Sequence, residues 1–180
     1  MIGVLVSGEG TNLQALVDAG LPIVAVASNR SGVNALARAE AAGIPSATFD
    51  AADYPSREAR DETLACWLQE RGVELVVLAG YMHLLRPCFF EVFGNRVVNT
   101  HSAPLPAFPG RHPIEDVLAA GAPETAATIH WVDEGIDTGR VIRAERVPVE
   151  PGDTTETLRA RVQAVEHRLL PDVVRELIAS

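Results

Sequence analysis

The sequence predicts an α/β fold, a Rossmann-like, doubly wound and mostly parallel sheet with strand additions toward the C-terminus and a final helix. Three observations carry this expectation. Short β-branched runs at 2–6, 23–27, 75–78 and 97–99 alternate with longer helical patterns, the order that buries a parallel sheet beneath helices on both faces. After about Gly121 the pattern changes to two strand-like runs, 125–132 and 141–149, joined by the polar stretch DEGIDTGR. The chain then closes on an apolar stripe at helical spacing, Leu158, Val162, Val165, Leu169 and Val173.

Between the strands, helices are expected near 13–19, 33–42 and 57–71, the second stopping before Gly43, a residue suited to a helix C-cap. The two late runs read as sheet additions in the same domain, with an antiparallel sense allowed. The last helix is expected to begin at Asp153, which stands three residues before Glu156 in capping-box spacing. No linker, repeat or low-complexity stretch interrupts the 180 residues, so one domain over 1–180 is expected.

Composition bounds the function. A net charge of −9 argues against broad nucleic-acid or anionic-membrane binding, since those partners demand a positive field. The two cysteines, Cys66 and Cys88, lack C-x-x-C spacing, which fits a reducing cytoplasm better than a disulfide framework. The opening MIGVLVSGEG has no positive start and breaks after a short apolar run, unlike a signal peptide. No stretch approaches the roughly 18 apolar residues of a membrane span. A soluble, cytoplasmic protein is expected.

Four segments are candidates for chemistry. The turn GEGTN, with Gly10, Thr11 and Asn12, lies between the first strand and the first helix. Helix N-terminal amides and a nearby hydroxyl suit a phosphate. The P-loop lysine is missing, and Leu13 stands where a dinucleotide fingerprint needs its third glycine, so a monophosphate fits better. The second candidate is NTHSAPLPAFPGRHP. In an extended chain Asn99 and His101 point to the same side, at the carboxyl end of a parallel strand, and Pro104, Pro106 and Pro109 stiffen the loop beyond them.

The third is the acidic trio Asp133, Glu134 and Asp137, which reads either as a solvated turn or as a source of one carboxylate that reaches back to orient His101. The residues alone leave open which carboxylate that is. The fourth, RVQAVEH, sets Gln163, Glu166 and His167 on one arc of the last helix, either a solvent face or a ligand face. The five histidines show no metal-ligand spacing, so no metal is expected.

Taken together, VLVSGEGTNLQAL, VVLAGYMHLL, NTHSAPLPAFPG, HWVDEGIDTG and RVQAVEH resemble, in order and across nearly the whole chain, the folate-dependent glycinamide ribonucleotide formyltransferase family. The resemblance implies transfer of the formyl group of 10-formyltetrahydrofolate, a co-substrate, to the amine of a small phosphate-bearing substrate in purine biosynthesis. It implies catalytic roles for Asn99, His101 and, of the three acids, Asp137. Gly10, Thr11, Asn12, Gln163 and Glu166 fall on substrate-side positions. Arg57, Met82, His83, Leu84, Leu85 and Asn99 fall on folate-side positions, giving a substrate-binding N-terminal half and a folate-binding, catalytic C-terminal half.

Two departures stand out: His83 replaces an expected arginine, and in the loop wording N-x-H-P-S-L-L-P, Ser102 replaces the first proline and Pro104 a leucine. Rival readings are a related formyltransferase, a formyltetrahydrofolate hydrolase, or a non-catalytic nucleotide-binding module. A tRNA-directed formyltransferase is expected to add a basic C-terminal domain, and the hydrolase an N-terminal regulatory module.

Overall fold

The computed structural model describes residues 1–179. Seven strands form one sheet in the order β3-β2-β1-β4-β5-β6-β7. Five are parallel: β1 (Ile2–Val6), β2 (Ile23–Ser28), β3 (Ser46–Thr48), β4 (Leu75–Leu78) and β5 (Val97–His101). The last two, β6 (Glu124–Trp131) and β7 (Val141–Pro148), run antiparallel to their neighbours. Every residue of β1 and β4 is buried, as a central parallel strand covered on both faces requires.

Helices cover both faces. On one side α1 (Thr11–Asp18), α2 (Asn34–Ala41), α5 (Pro113–Ala119) and α6 (Thr155–Ala179) pack Leu13, Leu16, Ala35, Ile114, Leu158 and Leu170 onto the sheet. On the other, α3 (Arg57–Gln69) and α4 (Pro87–Phe93) bury Leu64, Leu68, Phe89 and Phe93. The rings of Phe89 and Phe93 lie 5.0 Å apart, both all but inaccessible. Truncating either to alanine would cost about 3–5 kcal/mol, from lost transfer energy and the cavity left behind.

Four elements are absent from the sequence expectation: β3, three residues long, the single 3₁₀ turn Ala51–Asp53, and the seven-residue helices α4 and α5, each opened by a proline. They are too short to show a period. The start of the last helix also shifts. Thr154 is the capping residue, its hydroxyl accepting from the Thr157 amide at 3.3 Å while the Thr157 hydroxyl accepts from the Thr154 amide at 2.9 Å. Asp153 instead accepts from the Glu150 amide and holds Arg161 at 2.7 Å. The reciprocal pair is therefore Thr154 with Thr157, not Asp153 with Glu156.

Candidate functional site

A cavity of about 720 Å³ opens at the carboxyl ends of β1, β4 and β5. That is where the connections leave the sheet in opposite directions, the place where open α/β sheets bind ligands. Its wall includes Gly10, Thr11, Asn12, Met82, His83, Leu84, Leu85, Asn99, His101, Asp137, Gln163 and Glu166. Of the residues expected from the sequence, Arg57 and His167 are not in the wall; Arg57 is exposed, at the start of α3.

One end of the cavity is made of backbone. Gly10 caps α1 in a left-handed conformation, φ 73°, and turns the chain from strand to helix. A Cβ there would lie 2.6 Å from that of Ala35, so the turn needs glycine for both its φ and its close approach to α2. This wall is closed by Glu166, only 3% exposed, which accepts from Asn12 Nδ2 at 3.1 Å and from the Ser102 hydroxyl at 2.6 Å. The arc on α6 therefore faces inward at Glu166. The serine that departs from the family wording joins the loop after β5 to that helix.

A second part of the wall is made of side chains. Asn99 and His101 both line the cavity, as strand alternation requires, and β5 extends through His101. His101 Nε2 donates to the Phe108 carbonyl at 2.6 Å, stapling the ring to its own proline-rich loop. That loop is further pinned to β6 by the Thr128 hydroxyl, which donates to the Ala103 carbonyl at 2.7 Å. The other ring nitrogen, Nδ1, lies 3.6 Å from Asp137 Oδ2. A proton there makes an ion pair.

Of the three acids, Asp137 is the one beside His101. It sits on the β6–β7 connection in a left-handed conformation, φ 53°, uncommon for a residue with a side chain. The Gly110 amide donates to Oδ2 at 2.8 Å, and only 13% of the side chain is exposed. Burial pushes its carboxyl up, but His130, the Gly110 amide and the charge of His101 outweigh it and hold the carboxyl below its ordinary 3.8. Asp133 is occupied differently, accepting from the Gly135 amide at 3.0 Å and the Thr138 hydroxyl at 2.6 Å.

A fourth group escaped the sequence reading. His130 on β6 pairs in register with Asn99, and its Nε2 lies 3.1 Å from Asn99 Nδ2 and 3.5 Å from Asp137 Oδ1. Its Nδ1 donates to the Trp131 carbonyl at 2.8 Å, so Nε2 is the nitrogen that faces both Asn99 and Asp137: without a proton it accepts from the asparagine and orients it, and with one it donates to the carboxylate. An amide nitrogen carries two hydrogens, and the second remains for a ligand oxygen. The signal lay in the segment HWVDEGIDTG, but only strand register reveals it.

Another part of the wall is apolar. Met82, Leu84 and Ile136 line it and are each about half exposed, at 52%, 52% and 53%. Three exposed apolar side chains at one cavity rim suit a flat, largely apolar ligand. The loop that carries Met82 is tied to the end of β1, its amide donating to the Ser7 hydroxyl at 2.8 Å.

Residues 1–174 match the formyl transferase family. This chain belongs to that family. Among curated relatives of the formyl transferase, a phosphoribosylglycinamide formyltransferase of Mycobacterium tuberculosis is 43% identical, over 97% of this chain and 83% of its own. The trifunctional purine biosynthetic protein adenosine-3 of Drosophila pseudoobscura pseudoobscura is 44% identical over 94% of this chain, which spans only 13% of that protein's length. A solved structure, glycinamide ribonucleotide transformylase 1 from Symbiobacterium toebii, superposes with a TM-score of 0.95 at 44% identity, covering 97% of this chain and 85% of the other. The mostly parallel sheet with antiparallel additions and a final helix is therefore the fold of these enzymes. No helix among the described residues is long and apolar enough to cross a membrane.

Proposed function

We infer that this formyl transferase moves the formyl group of 10-formyltetrahydrofolate to the amine of glycinamide ribonucleotide, in the cytoplasm. One observation carries the reading: Asn99, His101, His130 and Asp137 converge in the wall of a single cavity that a phosphate-type turn and three exposed apolar side chains also line. Gly10, Thr11 and Asn12 take the substrate phosphate, Gln163 and Glu166 its sugar end, and Met82, Leu84 and Leu85 the folate. The whole of 1–180 works as one domain, in which the substrate side draws on both halves of the chain, the folate side takes Met82, Leu84 and Leu85 from the first, and the catalytic groups come from the second.

The substrate amine attacks the formyl carbon. A new C–N bond forms, the carbonyl pair moves onto oxygen, and a tetrahedral intermediate results. The free Asn99 amide hydrogen and a protonated His101 stabilise the oxyanion, and Asp137 balances the imidazolium. The attacking nitrogen then sheds one proton, the oxyanion pair re-forms the carbonyl as the bond to N10 breaks, and a proton delivered to N10 releases tetrahydrofolate and the N-formyl product. No covalent enzyme intermediate is needed. Because His101 Nε2 is engaged by the Phe108 carbonyl, proton delivery requires either that this bond open or that Nδ1 serve.

Incubating the purified protein with glycinamide ribonucleotide and 10-formyltetrahydrofolate, and following tetrahydrofolate release, tests the reading. Release that depends on the ribonucleotide supports it. Equal release without the ribonucleotide, with formate as product, overturns it in favour of a hydrolase.

A further inference from the structure

We propose that Arg60 is a positioning residue that fixes His83 as a neutral ring protonated on Nε2, so that the folate end of the cavity offers an uncharged donor where an arginine is expected. The inference rests on the formyl-folate reading of the site. Arg60 is completely buried, as is its helix neighbour Asp61. Asp61 Oδ1 accepts from Arg60 Nε at 2.8 Å and NH2 at 2.6 Å, and its Oδ2 accepts from the Arg86 amide at 2.8 Å. That pair is satisfied without help. The remaining nitrogen, NH1, makes a short contact with His83 Nδ1.

A guanidinium has no acceptor, so Nδ1 must offer its lone pair and the ring's one proton sits on Nε2. A second proton would set two donors against each other beside a buried cation. The charged groups facing His83 are Arg57 and Arg60 from α3 and Arg111 from the loop after β5, with Asp61 the one acid; burial first, then the three arginines, push its pKa below the ordinary 6.5. The Tyr81 ring, 6.1 Å away, adds a buried hydroxyl with no partner among the described residues. His83 lines the cavity whereas Arg60 does not. The histidine thus contributes direction, and the exposed Arg57 and Arg111 contribute charge. An anionic oxygen on the co-substrate is the acceptor this suits.

The direct test is the His83 ring in the intact protein, by ¹⁵N NMR. A neutral, Nε2-protonated ring at about pH 6 supports the proposal; an Nδ1-protonated ring, or one titrating at or above 6.5, overturns it. Steady-state kinetics adds a second readout. His83→Gln keeps an N–H donor and holds the KM for 10-formyltetrahydrofolate within about threefold, whereas His83→Phe raises it about tenfold, the range of one hydrogen bond to a charged acceptor. The double variant Arg60→Met with Asp61→Leu leaves no buried charge unpaired and makes that KM fall as pH drops below about 6.5, because a freed His83 gains a proton. A KM profile identical to the parent's contradicts the proposal. If the double variant does not fold, the NMR result on the parent decides. A parent that turns over no formyl-folate at all refutes the functional reading instead, while leaving the ring measurement meaningful.

Discussion

The parallel strands and the antiparallel pair contribute to the cavity in different ways. β1 and β4 are buried throughout and β5 except at Asn99 and Thr100, and together they deliver a turn held by backbone contacts, a loop anchored on Ser7, and two strand-end side chains, Asn99 and His101. β6 and β7 deliver the groups that govern those two: His130 against Asn99, and Asp137 on the connection between the strands. β7 is a largely exposed edge. The frame that holds ligands and the groups that manage protons thus come from different parts of the sheet, so substitutions in each should fail in different ways.

The largest effect is expected at the junction of the two parts. Asn99→Ala and His101→Ala should each lower kcat by about 10²- to 10³-fold, the cost of one preorganised oxyanion donor, with substrate KM little changed. Steady-state kinetics on the purified variants checks this, and full kcat in either removes that residue from the chemistry. Next is the antiparallel part: His130→Phe leaves the Asn99 amide unoriented and should lower kcat by about tenfold, again without moving KM. A rise in KM alone would assign His130 to binding.

The parallel part should fail through binding and stability. Gly10→Ala combines a strained φ with a clash against Ala35 at 2.6 Å, and should cost about 1–3 kcal/mol of stability and raise the KM for the phosphate-bearing substrate. Thermal denaturation and kinetics read both, and a wild-type Tm with unchanged KM would show that the turn is more plastic than its contacts imply. The smallest effect concerns acid stability. Asp137 has its native pKa lowered, so its contribution to folding is complete above its unfolded pKa near 3.8 and is lost as pH falls through the native value. Asp137→Asn should therefore flatten the acid limb of the stability curve below about pH 4, and an unchanged limb would contradict the hydrogen bonding described.

The parallel strands were legible because a buried strand is a short apolar run whatever its neighbours. The pair Asn99 and His101 was legible for the same reason, since period two needs no tertiary information. His130 was not, because its place opposite Asn99 depends on the register between β5 and β6, which no local pattern encodes. Nothing in the local pattern of α3 marks Arg60 and Asp61 as interior, yet both are buried. Asp153 looked like a cap, but Arg161, eight residues on, claims its carboxylate. The choice of Asp137 over Asp133 rested on resemblance alone; the structure adds that Asp133 is tied up by its own turn.

The division between frame and proton management is tested most directly by the kcat profile of Asp137→Asn over about pH 5 to 9. The arrangement of Asp137 at 3.6 Å from His101 Nδ1 predicts a large loss of rate with a displaced profile and an unchanged KM. A profile that overlays the parent's would mean that Asp137 does not govern His101, and that Asp133 or Glu134 holds the role instead.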